Sequence, residues 1–212
     1  ALNAVETLTK SYPNNSLLYN ISGICYKTIG QLDEAVKSFE KALTIKLDFA
    51  EAHNNLGNTL RDLNLLNASI KSFEKALAIK PDYAEAHNNL GNTLRGLNQL
   101  DAAIKCYEKA LAIKPDFAEA HNNLGVTLQE LRQLDAALVS YERAIALKPD
   151  INFLLGQSLH SKMHLCLWDD LPNDLNELTK KINNNEKVIA PFHLLALIDD
   201  PEIQRKTAEI FA

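Results

Sequence analysis

Apolar residues recur every three or four positions through most of the chain, the spacing of one face of an amphipathic helix. Ala52, Leu56, Leu60 and Leu63 form one such stripe, and Ile70, Phe73, Ala76 and Leu77 form a second after a short polar break. The pattern predicts two helices joined by a turn. The pair then repeats, because the string AEAHNNLG starts at Ala50, at Ala84 and at Ala118, a period of 34 residues. A diverged unit runs from Ser16 to Phe49, and a fading fifth begins near Asn152. Four full units are therefore expected at 16–49, 50–83, 84–117 and 118–151.

The ends of the predicted helices carry their own signals. Asp48, Asp82 and Asp116 each precede a Glu by three residues (Glu51, Glu85 and Glu119), the pattern of a capping box that opens the first helix. Lys80, Lys114 and Lys148 each stand before a Pro, a cation at the negative end of the second helix followed by a residue that cannot continue it. Gly57, Gly91 and Gly125 fall inside first helices, where Gly costs about 1 kcal/mol against Ala. Close helix crossing is the expected compensation. One helix pair cannot bury its own apolar face, so the units are expected to stack, with first helices lining a concave side.

These residues resemble the tetratricopeptide repeat family. In the third unit the family's places hold His87, Leu90, Gly91, Leu94, Ala103, Tyr107, Ala110 and Pro115. In the fourth they hold His121, Leu124, Gly125, Leu128, Ala137, Tyr141, Ala144 and Pro149. The first unit carries Tyr19, Ser22, Gly23, Tyr26, Ala35, Phe39 and Ala42 but has Leu47 where Pro is usual, and the second has Ser69 for the first Ala. The resemblance implies an all-α fold, a right-handed superhelical solenoid of helix-turn-helix repeats with a C-terminal helical cap, whose usual work is protein–protein interaction.

Both ends depart from the repeat. Ala1, Val5, Leu8 and Pro13 keep the register of a second helix, so residues 1–15 read as the latter part of a truncated unit. After Asp150 the segment with Leu154, Leu155, Leu159, Met163 and Leu165 is more apolar than a repeat and reads as a capping helix, opening a tail at 152–212. Asp170 and Pro172 open a helix carrying Leu175, Leu178 and Ile182, Asn183 to Asn185 break it, and Asp200-Pro201 starts another. The run Cys166-Leu167-Trp168-Asp169-Asp170, with Pro191 to Leu197 and Asp199-Asp200-Pro201, is similar to the segment joining repeats to catalytic domain in O-linked N-acetylglucosamine transferase-like proteins. In that family the nucleotide-sugar site lies in a domain that would begin beyond Ala212. The resemblance therefore implies a second role, the substrate-recruiting part of a glycosyltransferase.

Composition narrows the classes. Apolar residues are 46% and charged residues 23%, which predicts a folded chain. The formal charge of -5 comes from scattered side chains with no basic run, so nucleic acid is not an expected partner. No apolar stretch spans a membrane and no signal peptide is visible, and Cys25, Cys106 and Cys166 lie in no paired spacing, so a cytoplasmic chain without disulfide or zinc framework is expected. His53, His87 and His121 occur once per unit, and helices 8–10 Å apart cannot share an ion between them. They are expected to pack in place of the family's usual Trp. His160, His164 and His193 have no carboxylate or Cys in ligand spacing, so neither metal nor other cofactor is expected. No phosphate loop, dinucleotide fingerprint or nucleophile elbow is present, and no catalytic residue is assigned.

What remains is a polar stripe on each first helix: Asn54, Asn55, Asn58 and Arg61, then Asn88, Asn89, Asn92 and Arg95, then Asn122, Asn123 and Gln129. The spacing sets it largely opposite the Leu stripe, toward the concave groove. A carboxamide offers a donor and an acceptor together, matching an extended peptide backbone. In the transferase family an Asn at the place of Asn55, Asn89 and Asn123 is understood to contact substrate peptide, and Ile21 breaks the ladder in the first unit. The competing reading is that these residues cap or water-bridge neighbouring helices. Three contacts at about 0.5–1.5 kcal/mol each give about 1.5–4.5 kcal/mol, roughly millimolar affinity, so specificity needs more units or side-chain pockets between helices. Glu51, Glu85, Asn54 and Asn88 stand where the chaperone-tail version of this fold carries Lys, which disfavours terminal carboxylates as ligands. The expected partner is a protein or peptide segment in the groove, with self-association through an exposed solenoid end as a further possibility.

Overall fold

The computed structural model describes residues 2–212, and Ala1, which opens the expected truncated unit, lies outside the described residues. Among them the chain is all helix. Thirteen helices follow one another: α1 (Leu2–Ser11), α2 (Ser16–Thr28), α3 (Leu32–Ile45), α4 (Ala50–Asp62), α5 (Leu66–Ile79), α6 (Ala84–Gly96), α7 (Leu100–Ile113), α8 (Ala118–Glu130), α9 (Leu134–Leu147), α10 (Leu154–His164), α11 (Leu171–Asn183), α12 (Pro191–Leu194) and α13 (Pro201–Phe211). They form two compact units, one ending at Ile113 and one spanning Lys114–Ala212.

In the first unit α2 packs on α3, α4 on α5 and α6 on α7, and each pair packs on the next. The aromatic of each second helix sits against the glycine of the first. A Cβ on Gly57 would stand 2.7 Å from the Phe73 ring, and one on Gly91 2.6 Å from the Tyr107 ring. Phe39, Phe73 and Tyr107 are fully buried there, as are Ala35, Ala42, Ala76, Ala103 and Ala110. The small residues let the axes close and the rings fill the gap. Ser69 fits the place of the family's Ala because its hydroxyl donates to the Gly57 carbonyl at 2.8 Å. The first helices touch in sequence, α2 with α4 and α4 with α6, whereas no Cα of α3 comes within 8 Å of α5, nor any of α5 within 8 Å of α7. The unit is tight on its first-helix side and open on the other.

The helix starts correct the capping-box reading. The N-cap residues are Phe49, Tyr83 and Phe117, and none of the three helices has a side-chain cap hydrogen bond. Asp48, Asp82 and Asp116 lie one residue too early, in the turn. Each aromatic N-cap instead carries a cation over its ring: Lys46 at 5.2 Å from Phe49, Lys80 at 4.8 Å from Tyr83 and Lys114 at 4.8 Å from Phe117. Lys46 and Lys80 are the C-cap residues of α3 and α5, so the same side chain that meets the helix end also clasps the next unit.

In the second unit α8 and α9 repeat the pair, with a Cβ on Gly125 falling 2.6 Å from Tyr141. The tail helices follow the expected ends. Asp170 is the N-cap of α11, Asn184 its C-cap, and the Asp200 carboxylate caps α13 by accepting from the amides of Glu202 and Ile203. Leu155, Leu159, Leu178, Ile182, Val188, Ile189, Leu194 and Ile203 form a core of their own. The short helix α12 carries Leu194 into it, an element that the apolar period did not predict.

Candidate functional site

The polar stripe of the first unit is divided by burial. Asn54 and Asn88 are each only 6% exposed, as is Asn20 at the same place of the preceding unit. Asn20 and Asn54 lie in the contact between neighbouring first helices, α2 with α4 and α4 with α6. Asn55 donates from Nδ2 to Asn20 Oδ1 at 3.0 Å, and Asn89 donates from Nδ2 to Asn54 Oδ1 at 3.1 Å. The rung joins the fifth residue of one first helix to the sixth of the next, 35 residues away. Where a water bridge between helices was the competing expectation, the side chains bond to each other directly. The bond also fixes the half-buried Asn55 and Asn89 side chains, each with one N–H engaged and with its carboxamide oxygen and second N–H left over.

Two other members of the stripe, Asn92 and Gln129, accept from a tyrosine hydroxyl of their own repeat. Asn92 accepts from the Tyr107 hydroxyl at 2.9 Å. Asn58 and Arg95 are half-buried, and Arg61, also half-buried, has a buried Nη1 without a hydrogen-bond partner. In the second unit Asn122 and Asn123 are half-buried on α8. Gln129 accepts from the Tyr141 hydroxyl at 2.7 Å and sets its Nε2 3.3 Å from His160 Nδ1. Where the repeat at 84–117 offers Asn92 to its tyrosine, the repeat at 118–151 has Val126 there, and Gln129 takes over the hydroxyl.

The repeat histidines clamp loops. Nε2 of His53, His87 and His121 lies 3.3, 3.0 and 3.0 Å from the carbonyls of Leu47, Pro81 and Pro115. A carbonyl only accepts, so each Nε2 carries the proton. Nδ1 of His53 and of His87 is buried and unpartnered. Burial pushes His53 below the usual histidine value, opposed by its bond to the Leu47 carbonyl. Among the described residues no group of three or more His, Cys, Asp or Glu encloses a metal position.

Two features escaped the sequence reading. The first is a pair of clefts on the open, second-helix side of the first unit, about 540 and 580 Å³ in volume. His53 and Leu56 line one, together with Glu40 and Lys75, and His87 and Leu90 line the other, together with Glu74 and Lys109. Ala78 lines both. The 34-residue period foreshadows their likeness, but not which side of the unit opens. The second is in the tail, where His160, His164 and His193 meet. The ring centroid of His160 lies 4.5 Å from that of His164 and 4.9 Å from that of His193. Burial, then His164, His193 and Arg132, hold His160 below the usual histidine value.

The comparisons agree with this architecture. The TPR repeat profile matches residues 26–64, 57–96 and 91–132, and the tetratricopeptide repeat profile matches residues 118–151. More than half of the sequence is covered, and the chain belongs to the tetratricopeptide repeat family. No curated protein matches it. Among solved structures it is similar to PilW, a widely conserved type IV pilus biogenesis factor, at 24% identity and a TM-score of 0.75 over 99% of this chain and 89% of PilW. It is similar to YrrB, described as a TPR protein with an unusual peptide-binding site, at 17% identity and a TM-score of 0.67 over 99% of this chain and all (100%) of YrrB. MamA shares 28% identity at a TM-score of 0.64 over 70% of this chain and 86% of MamA. No helix among the described residues is long and apolar enough to cross a membrane.

Proposed function

We propose that this chain is a non-catalytic scaffold that holds a polypeptide segment along its first-helix face, with Asn55 and Asn89 gripping the backbone of the bound segment. The observation that carries the reading is the pair of carboxamide rungs. Asn20 and Asn54 each take one N–H from the next Asn and fix its orientation. An extended backbone presents alternating N–H and C=O groups, which suit the oxygen and the second N–H that each of Asn55 and Asn89 retains. Because the rungs are already fixed, little side-chain freedom is lost on binding. Asn58, Arg61, Asn92 and Arg95 flank this line in the first unit, and Asn122, Asn123 and Gln129 form the matching polar face of α8 in the second, taken by itself. Two rungs contribute about 1–3 kcal/mol, so side-chain contacts must supply the selectivity. The clefts beside His53 and His87 are concave enough for apolar side chains, and a partner that reaches around the edge of the unit gains from them. YrrB, a neighbour by fold, is described through its peptide-binding site, and the same kind of ligand is proposed for this chain.

The test is equilibrium binding of an unbiased, fluorescently labelled peptide library to the wild-type chain and to a variant with Asn55→Ala, Asn89→Ala and Asn123→Ala. The reading expects affinity to fall about tenfold or more across bound peptides irrespective of their sequence, from two or three lost contacts. Equal binding by both proteins refutes it.

The tail motif around Cys166–Asp170 and Pro191–Pro201 favours a second reading, in which the scaffold recruits substrate for a glycosyltransferase domain. Sequencing the gene past the codon for Ala212 decides it: an open frame continuing into such a domain supports the reading, and an immediate stop codon removes it.

A further inference from the structure

Three imidazoles converge in the second unit where the scaffold reading has no use for them. His160 and His164 stand one turn apart on α10, and their Nε2 atoms approach to 3.2 Å. His193 comes from α12, its ring tilted 39° to that of His160. A nitrogen pair at 3.2 Å suits a hydrogen bond. It equally suits two ligands of one tetrahedral ion, since bonds of about 2.0–2.1 Å at the tetrahedral angle set the nitrogens about 3.3 Å apart. Histidines at i and i+4 reach one ion from one helix face for this reason.

We propose that His160 and His164 bind a zinc-class dication through Nε2, with His193 turning in as the third protein ligand and water completing the tetrahedron. The present arrangement does not enclose a three-donor position. The site is a preformed pair that recruits its third ligand by rotation of the His193 side chain. Imidazole nitrogen favours zinc, nickel and copper over magnesium and calcium, which prefer oxygen.

The surroundings of His160 support this use. A metal on Nε2 requires Nδ1 to carry the proton and to donate it to an acceptor. Gln129 stands 3.3 Å from that Nδ1, with its other amide atom held by the Tyr141 hydroxyl at 2.7 Å. A half-turn of the Gln129 amide exchanges oxygen and nitrogen, so the oxygen receives Nδ1–H while the amide donates to the tyrosine oxygen. Either tautomer of His160 is therefore satisfied without moving a ring. The charge of Arg132 acts on His160, and no carboxylate is among the groups that do. That charge balance keeps the affinity below that of a closed thiolate zinc site. Metal bridging α10 to α12 would fasten the short helix to the capping helix.

The experiment is calorimetric titration of zinc chloride into the tag-free, chelator-stripped full chain at neutral pH, with thermal unfolding read with and without zinc. One equivalent should bind, and unfolding should move to higher temperature with zinc but not with magnesium. His164→Ala, at an exposed position, should abolish both effects, and Gln129→Ala should weaken binding about 10–100-fold. His193→Ala should weaken it about tenfold or more, while its circular dichroism stays that of the wild type. Absence of saturable binding, or wild-type binding by His164→Ala, overturns the site. Unchanged affinity in His193→Ala overturns the third ligand.

Discussion

Replacing Gly91 by Ala isolates the contact on which each repeat is built. Helix propensity alone favours the change by about 1 kcal/mol, because Gly91 lies inside α6. The structure opposes it. The new methyl would stand 2.6 Å from Tyr107 Cε1 and 2.9 Å from two further ring atoms. Tyr107 is 0% exposed, so its ring has nowhere to retreat. Overpacking of this kind costs about 1–3 kcal/mol and sometimes more, and a contact this short on a caged ring belongs at the upper end. The net expectation is a loss of about 2 kcal/mol. Gly96→Ala is the internal control, since its methyl meets only Leu66 Cδ1 at 3.7 Å. That change should stabilise by up to about 1 kcal/mol. Urea unfolding followed by circular dichroism, with midpoints and slopes compared across the three proteins, measures the difference. If Gly91→Ala unfolds at or above the wild-type midpoint, close approach of the helices is not what requires glycine there.

Three further outcomes follow from the hydrogen bonds. Tyr107→Phe should cost about 0.5–1.5 kcal/mol in the same assay, because it removes the bond from the hydroxyl to Asn92 while keeping the ring, and Phe73 already fills the equivalent place one repeat earlier. Ser69→Ala should fall within about 1 kcal/mol of wild type, since it restores the family's residue while removing the bond to the Gly57 carbonyl. The pH dependence has a fixed sign: His53 is held below its unfolded value, so the unfolded chain takes up its proton first as pH falls. Its contribution is absent well above the ordinary histidine range, and stability drops as pH passes down through that range toward the folded value. Urea midpoints at neutral and mildly acidic pH should show the drop, and His53→Gln should reduce it; an unchanged drop would remove His53 as a source.

The repeat was legible because its causes are local. Gly57 with Phe73, and Gly91 with Tyr107, sit 16 residues apart within one period, so residue type and spacing announce the packing. The helix starts were less legible because Asp82 offers a capping carboxylate in the right company, yet the chain turns into the helix only after Tyr83, whose ring is engaged by Lys80. The division of the asparagine stripe was hidden for another reason. Helical spacing places Asn54 and Asn55 side by side, but which of them meets the next helix depends on how the repeats stack. The histidine cluster joins α10 to α12 across an element with no apolar period, and only the i, i+4 spacing of His160 and His164 signalled it.

The central claim is that Asn55 and Asn89, held by Asn20 and Asn54, are the groups that grip a bound backbone. Side-chain amide resonances observed by nuclear magnetic resonance during titration with a peptide that the chain binds test it most directly. The account predicts that the Asn55 and Asn89 amide signals shift first and most, with their exchange slowed, while His160 and His193 ring signals stay in place. Saturation of the peptide with the Asn55 and Asn89 signals unmoved would contradict it.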